Sequence, residues 1–116
     1  MTGLSIIVAS GDGERFRTAL VMALAQAALG GGVRIFLQER AVGLLEGDDA
    51  DAYAAAGLPG RAAMLADALD TGIAIIGCQS GLALIGRHAS DFDPRIGWAG
   101  MVSLLHDLGN DRLVAI

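Results

Sequence analysis

Cys78, in Gly77-Cys78-Gln79-Ser80-Gly81, is the only cysteine in the chain and its strongest candidate nucleophile. It directly follows the apolar run Ile73–Ile76, at a strand-to-helix junction. Unpaired N–H groups at the start of a helix favour an anion, so a thiol placed there ionises more readily than a free one. The backbone amides of Gln79, Ser80 and Gly81 are the groups expected to stabilise the anionic sulfur of Cys78. The competing reading is a small buried hydrophobe, because free cysteine is among the most buried residue types. A Cys–His pair would require His88 or His106 at hydrogen-bond distance from the sulfur. His88 comes ten residues after Cys78, towards the far end of the following helix. Both histidines are therefore expected to be solvated or structural.

Two further turns carry polar groups. Ser10-Gly11-Asp12-Gly13-Glu14-Arg15 couples two glycines to the start of a long helix and outlines an anion crevice lined by Ser10, Gly11 and Gly13. It lacks the Gly-x-Gly-x-x-Gly spacing and the Gly-Lys-Ser/Thr ending, and Asp12 and Glu14 would repel a phosphate, so a plain glycine turn with acidic capping is the default. Gln38-Glu39-Arg40 puts opposite charges at a strand end; a surface ion pair is the first expectation there and the lining of a site the second.

These turns must be held by a sheet. Short apolar runs at Leu4–Ala9, Val33–Leu37, Ile73–Ile76 and Leu113–Ile116 are continuous rather than alternating, which is the pattern of strands covered on both faces. Glu14–Leu29 is rich in Ala, Leu and Met, has no Gly or Pro, and is closed by Gly30-Gly31-Gly32, so it predicts a helix. Leu58–Leu69, with Pro59 near its first turn, predicts a second. Ser80–Arg87 and Met101–Leu108 predict two shorter ones, the last stopped by Gly109, with a brief strand at Ile96–Trp98 between them. Strands alternating with helices on 116 residues give one doubly wound α/β sandwich with a mainly parallel sheet of four or five strands. Ligands of such sheets collect at the carboxyl ends of the strands, so Ser10–Gly13 and Cys78 are expected side by side. Residues 40–57, with Glu46, Asp48, Asp49 and Asp51 close together, read as a solvated loop whose spacing does not match a calcium-binding loop.

Composition removes several function classes. All eight cations are Arg, so there is no P-loop lysine, no Schiff-base lysine and no lysine general base. One cysteine excludes a Cys-x-x-Cys pair and a multi-cysteine zinc site, and nothing calls for a metal or another cofactor. A net charge of −5 argues against a nucleic-acid surface. No stretch has the roughly 20 apolar residues of a membrane span, and no basic leader precedes Leu4–Ala9, so a soluble cytoplasmic protein is expected. Between Ala19 and Leu29 the only polar side chain is Gln26, in line with Arg15 and Thr18 on a narrow stripe, so most of this helix must be covered by another helix or another subunit. A homo-oligomer is expected. Phe16 and Trp98 read as core or interface aromatics.

The order of elements, with Val33-Arg34-Ile35-Phe36-Leu37, then Ile73-Ala74-Ile75-Ile76-Gly77-Cys78-Gln79-Ser80-Gly81-Leu82-Ala83-Leu84-Ile85-Gly86, then Gly100-Met101-Val102-Ser103-Leu104-Leu105 and a terminal Leu113-Val114-Ala115-Ile116, resembles the DsrE/DsrF-like family over almost the whole chain. The resemblance implies a single domain over 1–116 with a three-layer, flavodoxin-like α/β/α sandwich, assembly as trimers or hexamers, and sulfur-relay chemistry. That family includes sulfur-relay subunits that carry sulfane sulfur as a persulfide on a cysteine after the third main strand, the position that Cys78 matches. The implied partners are sulfur donor and acceptor proteins. The rival from another class is a non-catalytic oligomeric module that binds a small molecule or anion, with Cys78 structural.

Overall fold

The computed structural model describes residues 1–116. Five strands, β1 (Leu4–Val8), β2 (Val33–Leu37), β3 (Ala74–Cys78), β4 (Gly97–Ala99) and β5 (Arg112–Ala115), form one sheet in the order β4-β3-β2-β1-β5 with every pairing parallel. Helices α1 (Gly13–Ala28), α2 (Ala50–Ala54), α3 (Arg61–Thr71), α4 (Gln79–Ile85) and α5 (Met101–His106) connect them. From β1 to β4 each crossover steps the same way along the sheet, whereas the connection through α5 returns across it to β5. Right-handed crossovers therefore put α5 on the opposite face from α1 and α3, which makes three layers.

Register assigns the side chains to those faces. Ile6, Ile35 and Ile75 are aligned on one face; Ser5 and Arg34 are aligned on the other. The α5 side is tied by polar bonds: Ser5 Oγ donates to Asp111 at 2.8 Å, Arg34 Nε donates to Ser5 Oγ at 3.1 Å, and Arg34 lies 3.6 Å from Asp111. All five residues of β1 are buried, matching the continuous apolar runs. Twenty-three residues form one hydrophobic cluster around Ile6, Phe16, Leu20, Ile35, Phe36 and Leu37.

Two expectations are corrected. Gln26 is not on a solvated stripe of α1: it is 7% exposed and its Nε2 donates to the carbonyls of Thr2 and Gly32 at 2.9 and 3.4 Å, tying the helix end to the chain before β1 and β2. A neighbouring helix, α3, covers part of the apolar circumference of α1, while Val21 and Leu29 stay exposed.

Residues 40–57 are not a solvated loop. Glu39–Leu45 form a 3-10 helix that buries Ala41, Val42 and Leu44, and Ala50–Ala54 are α2. The acidic cluster is a capping device: the amides of Arg61 and Ala62, opening α3, donate to Asp49 at 2.6 Å and to Asp48 at 3.2 Å. These carboxylates satisfy N–H groups that Pro59 and Gly60 cannot cap by side chain. The Ala62 amide, together with the Asp49 amide that donates at 2.8 Å, holds the Asp48 carboxyl below its usual range.

Candidate functional site

Cys78 is the last residue of β3 and the N-cap of α4, with a β-region backbone, so strand and helix meet at the sulfur as the sequence predicts. Gly77 serves packing rather than ligand approach: a Cβ there would run into the Trp98 ring, which packs at a tilt of 54° against Phe92 with ring centroids 5.2 Å apart. Gly81 has a similar task on the other side. A Cβ at Gly81 would meet the side chain of Val42 and, at 2.5 Å, the carbonyl oxygen of Glu39, so only glycine lets α4 lie this close to the Glu39–Leu45 turn.

That close approach builds the surroundings of the sulfur. Ser80 Oγ is 2.7 Å from Cys78 Sγ, and the backbone N–H groups of Glu39, Gly81 and Ser80 also turn towards it. Burial pushes the thiol up, but the Ser80 hydroxyl and the three amides together outweigh it, and Cys78 is held below the ordinary cysteine value. The helix α4 is only seven residues long, so these local donors rather than a long macrodipole account for the shift. One of the amides comes from β2's exit, a source that spacing along β3 and α4 could not reveal. Glu39 is also the only non-glycine residue with positive φ, at 47°. Such backbone is costly for a side-chain-bearing residue and concentrates at functional sites. Here it turns the chain between β2 and the 3-10 turn, beside the thiol.

The sequence places Gln79 among the anion-stabilising groups; in the structure it is exposed, and the donors to Cys78 are Ser80, Gly81 and Glu39. Cys78 itself is 4% exposed, beneath the exposed Ser80. His88 and His106 are exposed; His106 Nδ1 lies 3.0 Å from Asp107, and neither ring hydrogen-bonds Cys78.

The Ser10–Gly13 turn and Cys78 leave the same carboxyl edge of the sheet but are separated by β2. Ser10 and Gly11 line a crevice of about 290 Å³ with Ala9, Gln38, Glu39 and Arg40, and Cys78 is not in its wall. Gly13 opens α1 and faces Arg61 instead. Side-by-side placement is thus replaced by contact through Glu39, whose main chain reaches the thiol and which lines the crevice. The expected surface ion pair at this turn does not form: Glu39 accepts from Gln38 Nε2 at 3.1 Å, and Arg40 has no carboxylate partner.

A larger cleft of about 380 Å³, apolar at Leu65, Leu69, Phe92 and Ile96, runs beside α3, and the guanidinium groups at its rim are engaged. Arg61 donates to the carbonyls of Leu44 and Glu46, and Arg95 to Asp93 and Asp70. The Arg95 guanidinium holds the Asp93 carboxyl down to about 2.

The all-parallel five-stranded sheet with its flanking helices is a fold with other solved members. The chain is similar to the ychN protein from E. coli, at 18% identity over 100% of both chains with a TM-score of 0.75. It is also similar to the protein of unknown function BT1422 from Bacteroides thetaiotaomicron, at 22% identity over 98% of this chain and 94% of that one, TM-score 0.72. A third is the protein of unknown function MTH1491 from Methanobacterium thermoautotrophicum, at 13% identity over 100% of both chains, TM-score 0.73. At these identities the shared property is the fold. No protein-family model and no curated protein matches the chain. No helix is long and apolar enough to cross a membrane.

Proposed function

We propose that the protein is a sulfur carrier of the DsrE/DsrF-like kind, loading sulfane sulfur on Cys78 and passing it to a partner thiol. The observation that carries this reading is the convergence of the Ser80 hydroxyl and the Glu39, Ser80 and Gly81 amides on one sulfur, which keeps a mostly buried thiol low.

The chemistry is thiol exchange without net redox change. The Cys78 thiolate attacks the terminal sulfur of a donor persulfide, the donor's S–S bond breaks, and the donor leaves as a thiolate that takes a proton from water. The new terminal sulfur on Cys78 is again anionic and stays beside the same amides. An acceptor thiolate then attacks that sulfur and Cys78 leaves as thiolate. With one cysteine in the chain the sulfur has to leave to another molecule or subunit. Cys78 is only 4% exposed, so its sulfur has to become accessible for loading. Assembly as a trimer or hexamer, a cytoplasmic location and protein donors and acceptors belong to the same proposal.

The low exposure of Cys78 favours a second reading, a non-catalytic oligomeric binding module in which the cysteine only packs. Incubation with a sulfane-sulfur donor followed by intact-mass measurement separates the two. One added sulfur on the native chain and none on Cys78→Ser is the expected result; an unmodified native chain at neutral pH, or loading that survives Cys78→Ser, overturns the carrier reading.

A further inference from the structure

The sheet has two edges, and only one of them is protected. β4 spans three residues and offers almost no ladder to another chain. β5 is longer in effect: Arg112 donates to the carbonyl of Gly3, and Ile116 both donates to Ile7 and accepts from Ala9, so pairing with β1 extends over residues 112–116. Along a strand the main-chain groups point alternately to one side and the other. Arg112, Val114 and Ile116 turn theirs towards β1, and Leu113 and Ala115 turn both N–H and C=O outwards, where the chain supplies no partner. The usual devices that blunt an exposed edge are missing. Residues 112–116 contain no Pro, Gly or Lys, the register with β1 has no bulge, and the one charge, Arg112, stands at the first position. The side chains are as open as the backbone: Leu113 is 44% exposed and Ala115 is exposed, both on the α5 face, whereas every residue of the neighbouring β1 is buried.

The β5 edge is complementary to itself. When two strands pair antiparallel about a two-fold axis normal to the sheet, opposed residues lie on the same face, and hydrogen-bonded pairs alternate with non-bonded ones. Leu113 opposite Ala115 of a second copy meets both conditions: each has a free N–H and a free C=O aimed across the seam, and both face the α5 side. Val114 then stands on the axis against its own copy as a non-bonded pair. Slipping the register by one residue sets these outward groups against Val114 or Arg112, whose own are spent on β1, and puts the two faces out of step. The large Leu113 side chain covers the small Ala115. Charge points the same way, because the chain carries −5 and residues 112–116 hold no carboxylate side chain, so two copies meet here without opposed acids. Antiparallel pairing also keeps the two Arg112 guanidinium groups at opposite ends of the seam. We propose that β5 is an interface between two copies of this chain, joined edge to edge about a two-fold into one continuous sheet, with Leu113 paired to Ala115 of the other copy. A two-fold belongs to a hexamer built from two trimers and not to a lone trimer, so this contact commits the assembly to an even number of copies. It is independent of the sulfur-carrier reading.

Sedimentation and cross-linking of the full chain test the interface. At micromolar concentration the native protein should sediment as an even multiple of 11.8 kDa. Ala115→Pro removes an N–H that β1 does not use, as proline does on natural edge strands, and should raise the dissociation constant of the two-fold contact at least about tenfold while the circular dichroism stays native. In the Cys78→Ser background, Val114→Cys places two thiols on the axis, with Cα atoms about 4.5 Å apart, inside the range a disulfide spans. Leu113→Cys in the same background leaves its two Cα atoms about 8 Å apart, from the offset along the strands and the spacing across them, beyond that range. Val114→Cys should therefore form the interchain disulfide at least about tenfold faster than Leu113→Cys in a glutathione buffer. A native monomer, an assembly of three copies, a folded Ala115→Pro variant of undiminished mass, or equal cross-linking of the two cysteine variants overturns the proposal. Should Ala115→Pro fail to fold, the comparison of the two cysteine variants decides.

Discussion

Replacing Gly81 by Ala tests whether the close approach of α4 to the Glu39–Leu45 turn is what sets up the thiol. Two physical effects of opposite sign compete at this position. Gly81 lies in the first turn of α4, so helix propensity alone makes alanine more stable by at most about 1 kcal/mol. Packing opposes this. The added Cβ meets the Val42 side chain and, at 2.5 Å, the Glu39 carbonyl oxygen, and a backbone oxygen on a buried turn cannot rotate out of the way as a flexible side chain could. Overpacking of this kind costs about 1–3 kcal/mol. The net expectation is a loss of up to about 2 kcal/mol, at roughly 4 °C in Tm per kcal/mol for a chain of this size. The displacement also carries the Glu39 amide away from Cys78, so the thiol pKa rises. Urea unfolding reads the first effect, and the pH midpoint of iodoacetamide alkylation under native conditions reads the second. A variant as stable as the native protein or more so would show that propensity wins and that α4 is not wedged against the turn. A loss of stability with an unmoved alkylation midpoint would show that the Glu39 amide is irrelevant to the thiolate.

Ser80→Ala removes the hydroxyl at 2.7 Å from the sulfur and is expected to raise the alkylation midpoint of Cys78. Because the folded thiol lies below its unfolded value of about 8.5, its ionisation stabilises the fold fully above that pH and the contribution fades as pH falls through the folded value. Ser80→Ala should therefore flatten the rise of stability between neutral and alkaline pH in urea melts, and an unchanged profile counts against the hydroxyl's role. Ser5→Ala leaves Arg34 Nε and Asp111 each short of one partner at a fully buried position and is expected to cost about 1–3 kcal/mol by the same melts; a change within about 0.5 kcal/mol means the 3.6 Å ion pair suffices alone. Light scattering at micromolar concentration is expected to give a mass several times 11.8 kDa, and Val102→Glu, at an 84% exposed valine on α5, to lower it; a native monomer at all concentrations removes the oligomer proposal. Leu24→Glu is a poorer probe of assembly, because Leu24 packs on the monomer's own core and is expected to unfold it.

The sequence by itself determined the parallel sheet, since continuous runs such as Leu4–Val8 and Val33–Leu37 can only be strands covered on both faces, and it determined the long helix, since sixteen residues from Gly13 to Ala28 contain no internal breaker. It also put Cys78 at the β3–α4 junction, because one apolar run ends and one Leu/Ala segment begins on either side of it. These are local signals. What surrounds the sulfur depends on contacts distant in sequence and was decided only by tertiary structure. The Glu39 amide, Val42 against Gly81 and the separation of Ser10–Gly13 from Cys78 all follow from strand order, with β2 standing between β1 and β3. The acidic segment was misread as a solvated loop for the same reason: the amides that Asp48 and Asp49 cap belong to a helix more than ten residues downstream, and no local pattern marks such a partner. Burial of Gln26 and of Cys78 likewise depends on chain segments that composition shows but cannot place, because one polar side chain on an apolar helix is satisfied by whichever carbonyls the fold brings to it.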